Sequence, residues 1–170
     1  MDDGRGGRLE RPVGRRPAHD RRVLTKPERT FLAAARRAVL ATMSRDGRPR
    51  LVPICFVLDD VRPVLWTPLD DKPKRSDDPL ALARVRDIRT DSRVTMLVDR
   101  WDEDWSRLGW LRCHGRAALL EPEAPEHPAV VAALRRKYPQ YVAHRLDSRP
   151  LIRLEIERVT SWGILDPELP

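Results

Sequence analysis

Long hydrophobic runs are missing from this sequence. No stretch of about 18 apolar residues occurs, which argues against a membrane-spanning helix. The first 22 residues also lack the apolar segment of a secretion signal, and they are rich in arginine, glycine and proline. We therefore expect a disordered tail over residues 1–24 and a cytoplasmic location.

Cysteine is scarce as well. Cys55 and Cys113 are the two cysteines in 170 residues, and each lies in an apolar segment. No Cys-x-x-Cys or paired-histidine spacing indicates a zinc site, and a disulfide is disfavoured in the cytosol. His114 directly follows Cys113, so on a strand the two side chains point to opposite faces. We expect two reduced thiols and no metal site.

The net charge of +7 is not gathered into one stripe. Residues 1–22 hold seven arginines and four acids, which accounts for three of the excess charges. Elsewhere basic and acidic residues interleave, as in DDKPKRSDD and DRWDEDW. Interleaving is typical of a solvated face rather than of a surface that follows a phosphate backbone. We expect no nucleic-acid partner; DNA binding through the Arg-rich tail is the alternative to test.

Apolar runs separated by turn signals predict six strands in a domain at residues 25–165, followed by a short tail at 166–170. The Asp46-Gly47 pair predicts a hairpin turn, and Gly115 predicts a kink in a long strand. The second strand is apolar throughout, so we expect both its faces to be covered, and Pro53 within it needs a bulge or an edge position. The predicted strands are residues 38–43, 51–58, 63–69, 93–100, 108–120 and 151–162, and the predicted helices are 25–37, a segment starting at Asp78-Pro79, and 128–138.

The order of these elements predicts the fold class. Strands that follow one another through short or single-helix connections favour a mainly β, antiparallel barrel with peripheral helices. No GxGxxG follows the first strand and no GxxxxGK[ST] occurs, so neither a Rossmann fold nor a P-loop is expected.

The segment from Thr67 to Arg89 carries the clearest chemical signal. A predicted strand ends there and leads into Lys72, Lys74 and Arg75, just before the start of a helix. Free N–H groups at a helix start favour a phosphate, and cationic side chains add charge-assisted hydrogen bonds. Arg84 and Arg86 extend the positive surface along the helix. This pattern favours an anion site, with a solvated basic loop as the alternative.

Three segments taken together resemble a known family. They are DKPKR, LARVRDIRTDSRVTMLVD and DEDWSRLGWLRCHGRA, and they resemble the pyridoxamine 5'-phosphate oxidase-like superfamily. More narrowly, they look like its actinobacterial branch of F420-dependent oxidoreductases. The hairpin AVLATMSRDGRPRLVPICFVL is similar to the family's opening, and the resemblance covers residues 26–163.

The resemblance implies a split β-barrel homodimer of the flavin-reductase-like kind, with two cofactor sites at the subunit interface. Members bind FMN, coenzyme F420 or haem. It assigns the cofactor's phosphate or acidic tail to basic side chains, its ring to backbone groups of the second strand, and further contacts to a strand-end hydroxyl and an indole. The basic side chains are Lys72, Lys74, Arg84 and Arg86, to which the basic segment itself adds Arg75. The backbone groups are those of Val52, Pro53 and Ile54, the hydroxyl is that of Thr67, and the indole is that of Trp110.

Two departures from the family pattern stand out. Asp87 occupies a position where relatives usually have Asn, which places a negative charge near the anion site. Gly109-Trp110 replaces a pair of tryptophans. Trp66 and Trp101 are expected to serve packing, while Trp105 and Trp162 are weaker candidates for ring contact.

The resemblance and the basic segment together predict a deazaflavin (F420)-dependent oxidoreductase that transfers a hydride between the cofactor and a small organic substrate. In such enzymes the cofactor carries the chemistry, and no catalytic residue is predicted. The alternatives are an FMN-dependent oxidoreductase of the same fold and a non-catalytic flavin- or haem-binding protein.

Overall fold

The computed structural model describes residues 23–70 and 78–166. Seven strands and three α-helices make up this part of the chain. The strands are β1 (Ala38–Met43), β2 (Pro49–Ile54), β3 (Val57–Leu58), β4 (Val64–Pro68), β5 (Arg93–Arg100), β6 (Gly109–Leu120) and β7 (Leu151–Gly163). The helices are α1 (Lys26–Ala34), α2 (Ala83–Thr90) and α3 (His127–Lys137).

All seven strands form one antiparallel sheet in the order β2-β1-β5-β6-β7-β4-β3. The sheet curls into a half-barrel, and the mainly β fold with peripheral helices is confirmed. At the β1–β2 turn Gly47 has a φ of +78°, the left-handed conformation that the Asp46-Gly47 pair predicts. The register of β6 on β7 shifts between His114 and Gly115, and a Cβ at Gly115 would collide with the Glu155 carbonyl oxygen.

Two hydrophobic cores lie on the two sides of the curled sheet. The larger core packs α1 and α2 against alternate residues of β1, β4, β5, β6 and β7. The smaller core packs α3 against β3 and the opposite face of β4, with Trp66 at its centre. Thr25 caps α1 through a complete capping box with Glu28, as its position before the apolar face predicts. No helix in the described part of the chain is long and apolar enough to cross a membrane.

The predicted second strand is the main correction. Residues 51–58 are two strands, β2 and β3, separated at Cys55 and Phe56. β2 lies at the edge of the sheet, and Leu51 is 64% exposed, so the expectation that both faces are covered is wrong for this chain. An unbroken apolar run does not distinguish a buried strand from an edge strand whose apolar face awaits a partner. The edge position required by Pro53 is confirmed.

The start of the second helix also differs from the prediction. Asp78 accepts a hydrogen bond from the Leu80 backbone N–H at 2.8 Å, but it caps a short 3-10 turn at Pro79–Ala81. α2 begins only at Ala83, without a side-chain cap. The free N–H groups of the helix start, which favour an anion, therefore begin five residues further along the chain than Asp78.

Candidate cofactor site

Three of the predicted anion-binding residues, Lys72, Lys74 and Arg75, lie outside the described residues. The structure does show where their segment begins and ends. The described chain stops at Asp70, two residues after β4, and resumes at Asp78, which leads into the 3-10 turn and then α2. Side chains near these two points therefore flank the segment that carries the three cations.

Thr67 lies on β4 and is only 2% exposed. Because side chains alternate along a strand, it shares a face with Leu65 and Leu69, which belong to the larger core. The structure thus places this hydroxyl on the inner side of the curled sheet. Its contact with a cofactor stays a prediction.

A cluster of buried polar groups lies where β4 ends. Asp70 is 6% exposed and accepts a hydrogen bond from the Tyr141 hydroxyl at 3.3 Å. Burial is the main reason that the pKa of Tyr141 is raised, with further contributions from Cys55 and Asp70. The phenol therefore stays protonated and remains a donor to the carboxylate.

Arg84 belongs to the same cluster and is the most informative residue of the site. Burial lowers the pKa of its guanidinium, and the nearby carboxylate of Asp70 opposes that shift. Its Nε is buried and has no hydrogen-bond partner among the described residues. A buried donor left unsatisfied costs about 1–3 kcal/mol, so an anion that accepts from this nitrogen would recover that free energy. Arg84 is therefore the residue of this cluster that could donate to the phosphate of a cofactor.

Arg86 does not join Arg84. The two arginines lie two positions apart on α2, and residues with that spacing do not face each other on a helix. Arg86 is exposed, whereas Arg84 is half-buried. A single ligand would therefore contact both Arg84 and Arg86 only if it were long enough to reach around the helix.

The predicted ring floor lies on the edge strand β2. Val52, Pro53 and Ile54 pair with Leu40, Val39 and Ala38 of β1. On its other side β2 has no strand partner within the described residues. An edge strand presents backbone N–H and C=O groups on its free side, which is the arrangement needed for backbone contacts with a ring.

The structure corrects the expectation that Asp87 adds a negative charge near the anion site, because this charge is paired with an arginine. The carboxylate is 4% exposed, and the Arg50 Nη1 donates to both of its oxygens at 2.8 and 2.7 Å. The Thr42 hydroxyl donates to it at 2.7 Å. The positive charge of Arg50 offsets the negative charge of Asp87. The electrostatic repulsion between this carboxylate and a bound phosphate is therefore small.

Apolar side chains are exposed on the outer face of the sheet, and sequence reasoning did not single out most of them. Met43, Leu51, Leu97 and Trp162 are 41%, 64%, 37% and 49% exposed. The strand register places all four on one face together with the half-buried Trp110, which pairs with Trp162. Apolar residues at the outward-facing positions of several strands are the sequence signal for such an exposed apolar face.

Trp110 itself is also contacted by a cation. The Arg112 guanidinium lies 5.7 Å from its ring centroid. Of the other tryptophans, Trp66 is buried, as a packing role predicts. Trp101 is 70% exposed, so it does not pack in the core of this chain, and packing against a second subunit stays a prediction for it. Trp105 is 73% exposed.

The remaining polar candidates do not form a metal centre. Both cysteines are free thiols, and burial raises the pKa of Cys113 to about 12. Within residues 23–70 and 78–166, no group of three His, Cys, Asp or Glu side chains could hold a metal ion. His114 bonds the Thr95 hydroxyl through Nδ1 at 3.0 Å, and burial, with help from Arg158 and Arg112, lowers its pKa.

Comparisons with known proteins agree with this architecture. The sequence profile of the pyridoxamine 5'-phosphate oxidase family matches residues 24–163, so the chain belongs to this family. No curated protein matches the chain.

Three solved structures from bacteria share this fold with the chain. A conserved hypothetical protein from Mycobacterium tuberculosis is 22% identical with a TM-score of 0.65, over 83% of this chain and 86% of that one. A haem-binding protein from Mycobacterium smegmatis is 20% identical with a TM-score of 0.62, over 81% of this chain and 53% of that one. An FAD-binding protein from Mesorhizobium loti is 22% identical with a TM-score of 0.52, over 77% and 86%.

Proposed function

We propose that this protein is an oxidoreductase that binds a phosphorylated deazaflavin, coenzyme F420, with FMN as the closest rival. The observation that carries the proposal is the unpartnered, buried Nε of Arg84 beside the point where the chain leaves β4. The segment that follows supplies Lys72, Lys74 and Arg75. Three cations in that segment, together with the buried donor of Arg84, suit an anion with several oxygens.

The choice of F420 over FMN rests on the extent of the basic surface. Arg86 lies on a different side of α2 from Arg84, so a short phosphate does not reach both. The longer, poly-acidic tail of the deazaflavin has carboxylates to place beyond the first phosphate. When bound, the cofactor supplies the hydride that passes to or from a small organic substrate. The protein holds the tail and orients the ring for transfer.

We also propose that two copies assemble through the outer face of the sheet. Exposed apolar residues that share one face mark an interaction surface, and Met43, Leu51, Leu97 and Trp162 lie on this one. The edge strand with the proposed ring floor, Val52–Ile54, borders the same face. A second copy there would place its Trp110 close to the neighbour's edge strand.

A second candidate function is supported by one of the structural neighbours. The Mycobacterium smegmatis protein is named as a haem-binding protein, and this chain shares its fold. A non-catalytic flavin- or haem-binding role is therefore the alternative. It predicts tight binding of haem or of a flavin without any turnover of the bound cofactor.

Titration of the purified protein with F420, FMN and haem, each followed by absorbance or ring fluorescence, tests the proposal. We expect binding of F420 with one cofactor per chain and a particle mass of two chains. Changing Lys72 and Lys74 to Ala should weaken binding at least 100-fold, because each charge-assisted hydrogen bond contributes about 1.5–3 kcal/mol. Changing Arg84 to Met should weaken it at least tenfold.

A control variant removes the same charge elsewhere. Lys26 and Arg37 are exposed, so changing both to Ala should leave cofactor binding unchanged. Reduction of a quinone or nitro-aromatic probe by reduced F420 then separates an enzyme from a storage protein. Haem binding with no affinity for either flavin-type cofactor would replace the proposal by the alternative.

A further inference from the structure

Asp87 lies between the two halves of the candidate site. It belongs to α2, the helix that carries Arg84 one turn earlier. Its hydrogen-bond partners belong to the β1–β2 hairpin: Thr42 lies on β1, and Arg50 lies on the same strand as the proposed ring floor, Val52–Ile54. One carboxylate thus joins the helix of the anion site to the strand of the ring site.

The strength of this link follows from its geometry. Asp87 is 4% exposed and Thr42 is 3% exposed, while the Arg50 side chain is 43% exposed. Charge-assisted hydrogen bonds of 2.7–2.8 Å to a buried carboxylate are among the stronger polar contacts in proteins. A buried group of this kind has discrete arrangements, so it fixes the position of α2 along the hairpin instead of allowing it to slide.

We propose that Asp87 is a positioning residue that sets the distance between the anion site on α2 and the ring floor on β2, and thereby the ring-to-phosphate span of the cofactor that the protein accepts. The proposal rests on the proposed function, because it assigns the two halves of one ligand to these two elements. Asp87 is buried, and it acts through Thr42 and Arg50 rather than by direct contact with the cofactor.

Linked ligands make this inference measurable. A ligand that engages two subsites at once gains affinity from the linkage, and it loses that gain when the subsites no longer match its span. The fragments, which engage one subsite each, do not depend on the spacing. A positioning residue therefore affects the whole cofactor much more than it affects either fragment.

The experiment compares three probes on the full-length protein: FMN, riboflavin and inorganic phosphate. If the wild type prefers the deazaflavin, F420 and its dephosphorylated ring-ribityl fragment replace the first two probes. Asp87→Ala should weaken the complete cofactor at least tenfold and each fragment by less than threefold. Thr42→Val removes one bond of the link with almost no change in side-chain shape, and it should give the same pattern with a smaller loss.

A matched control lies at the end of the same helix. Asp91 forms a 2.7 Å ion pair with Arg93 on the surface, and Asp91→Asn should change no affinity. Asp87→Asn, which keeps an acceptor for Thr42 but not the charge opposite Arg50, should restore part of the affinity lost in Asp87→Ala.

Two results would overturn the inference. One is an equal loss for the complete cofactor and both fragments in Asp87→Ala and Thr42→Val, which indicates general damage; the other is unchanged affinity for the complete cofactor in both variants. A wild-type protein that binds neither FMN nor F420 would instead refute the proposed function, and the two failures are therefore distinguishable.

Discussion

Two buried carboxylates lie near α2, and each has an arginine beside it, but only one of the arginines is satisfied. Arg50 donates to both oxygens of Asp87 and forms a complete ion pair. Arg84 lies near Asp70, yet its Nε has no partner in the described part of the chain. The first pair is complete without a ligand and stabilises the fold. The second group keeps an unsatisfied donor, which is why we propose an anion there.

The comparison predicts opposite responses to the loss of one charge. The largest effect is expected for Asp87→Ala, which removes three hydrogen bonds and leaves the buried Thr42 hydroxyl without its acceptor. Breaking a buried pair costs about 3–5 kcal/mol, and because Arg50 is half exposed we expect about 2–3 kcal/mol. For a chain of this size that corresponds to a fall in Tm of roughly 5–10 °C.

Thermal unfolding followed by circular dichroism measures this effect without any cofactor. Asp87→Asn is the control that keeps the side-chain volume and should lose less than Asp87→Ala. A Tm within about 1 °C of the wild-type value for Asp87→Ala would mean that the pair is solvated in solution and fixes nothing.

Arg84→Met is expected to do the reverse. It replaces a half-buried guanidinium, whose Nε has no partner among the described residues, by an apolar side chain of similar length, so the desolvation cost that is removed offsets the lost attraction to Asp70. We expect stability in the absence of cofactor to stay the same or rise by about 1 kcal/mol, although cofactor binding is weakened. A loss of more than about 1 kcal/mol would show that Arg84 stabilises the fold and that its Nε is satisfied in solution.

The same comparison explains what the sequence could and could not predict. Alternating strands such as β7 and the Asp46-Gly47 turn were predictable, because their signals are local. The partner of Asp87 was not, since Arg50 lies 37 positions away on a different element. Arg84 looked like one basic residue among several, and only tertiary packing distinguishes it from the exposed Arg86.

The outer face illustrates a second limit. Residues 51–58 were expected to be covered on both faces because they are apolar, but Leu51 on the edge strand β2 is exposed in this chain. The hydrophobicity of a segment indicates that it becomes buried, but it does not distinguish burial in the core of the same chain from burial against a partner. The segment containing Lys72, Lys74 and Arg75 lies outside the described residues, so its role stays a prediction.

The smallest effect is expected for a third pair, the surface pair of Asp91, which follows the last residue of α2, and Arg93, which begins β5. Hydrogen bonds from Arg93 lower the pKa of Asp91 to about 2 from the ordinary value of 3.8. A carboxyl with a lower pKa in the folded state stabilises the fold above its unfolded pKa, and this contribution is lost as the pH falls from about 4 to about 2.

Because the pair is exposed and screened by solvent, Asp91→Asn should leave Tm unchanged at pH 7 within error. At pH 2 the wild-type carboxyl is about half protonated in the folded state, so most of the contribution is lost and the wild type and the variant should nearly coincide. Melting curves of both proteins between pH 2 and pH 7 measure this, and a loss at pH 7 comparable to that of Asp87→Ala would abolish the distinction between buried and exposed pairs on which the assignment of Asp87 depends.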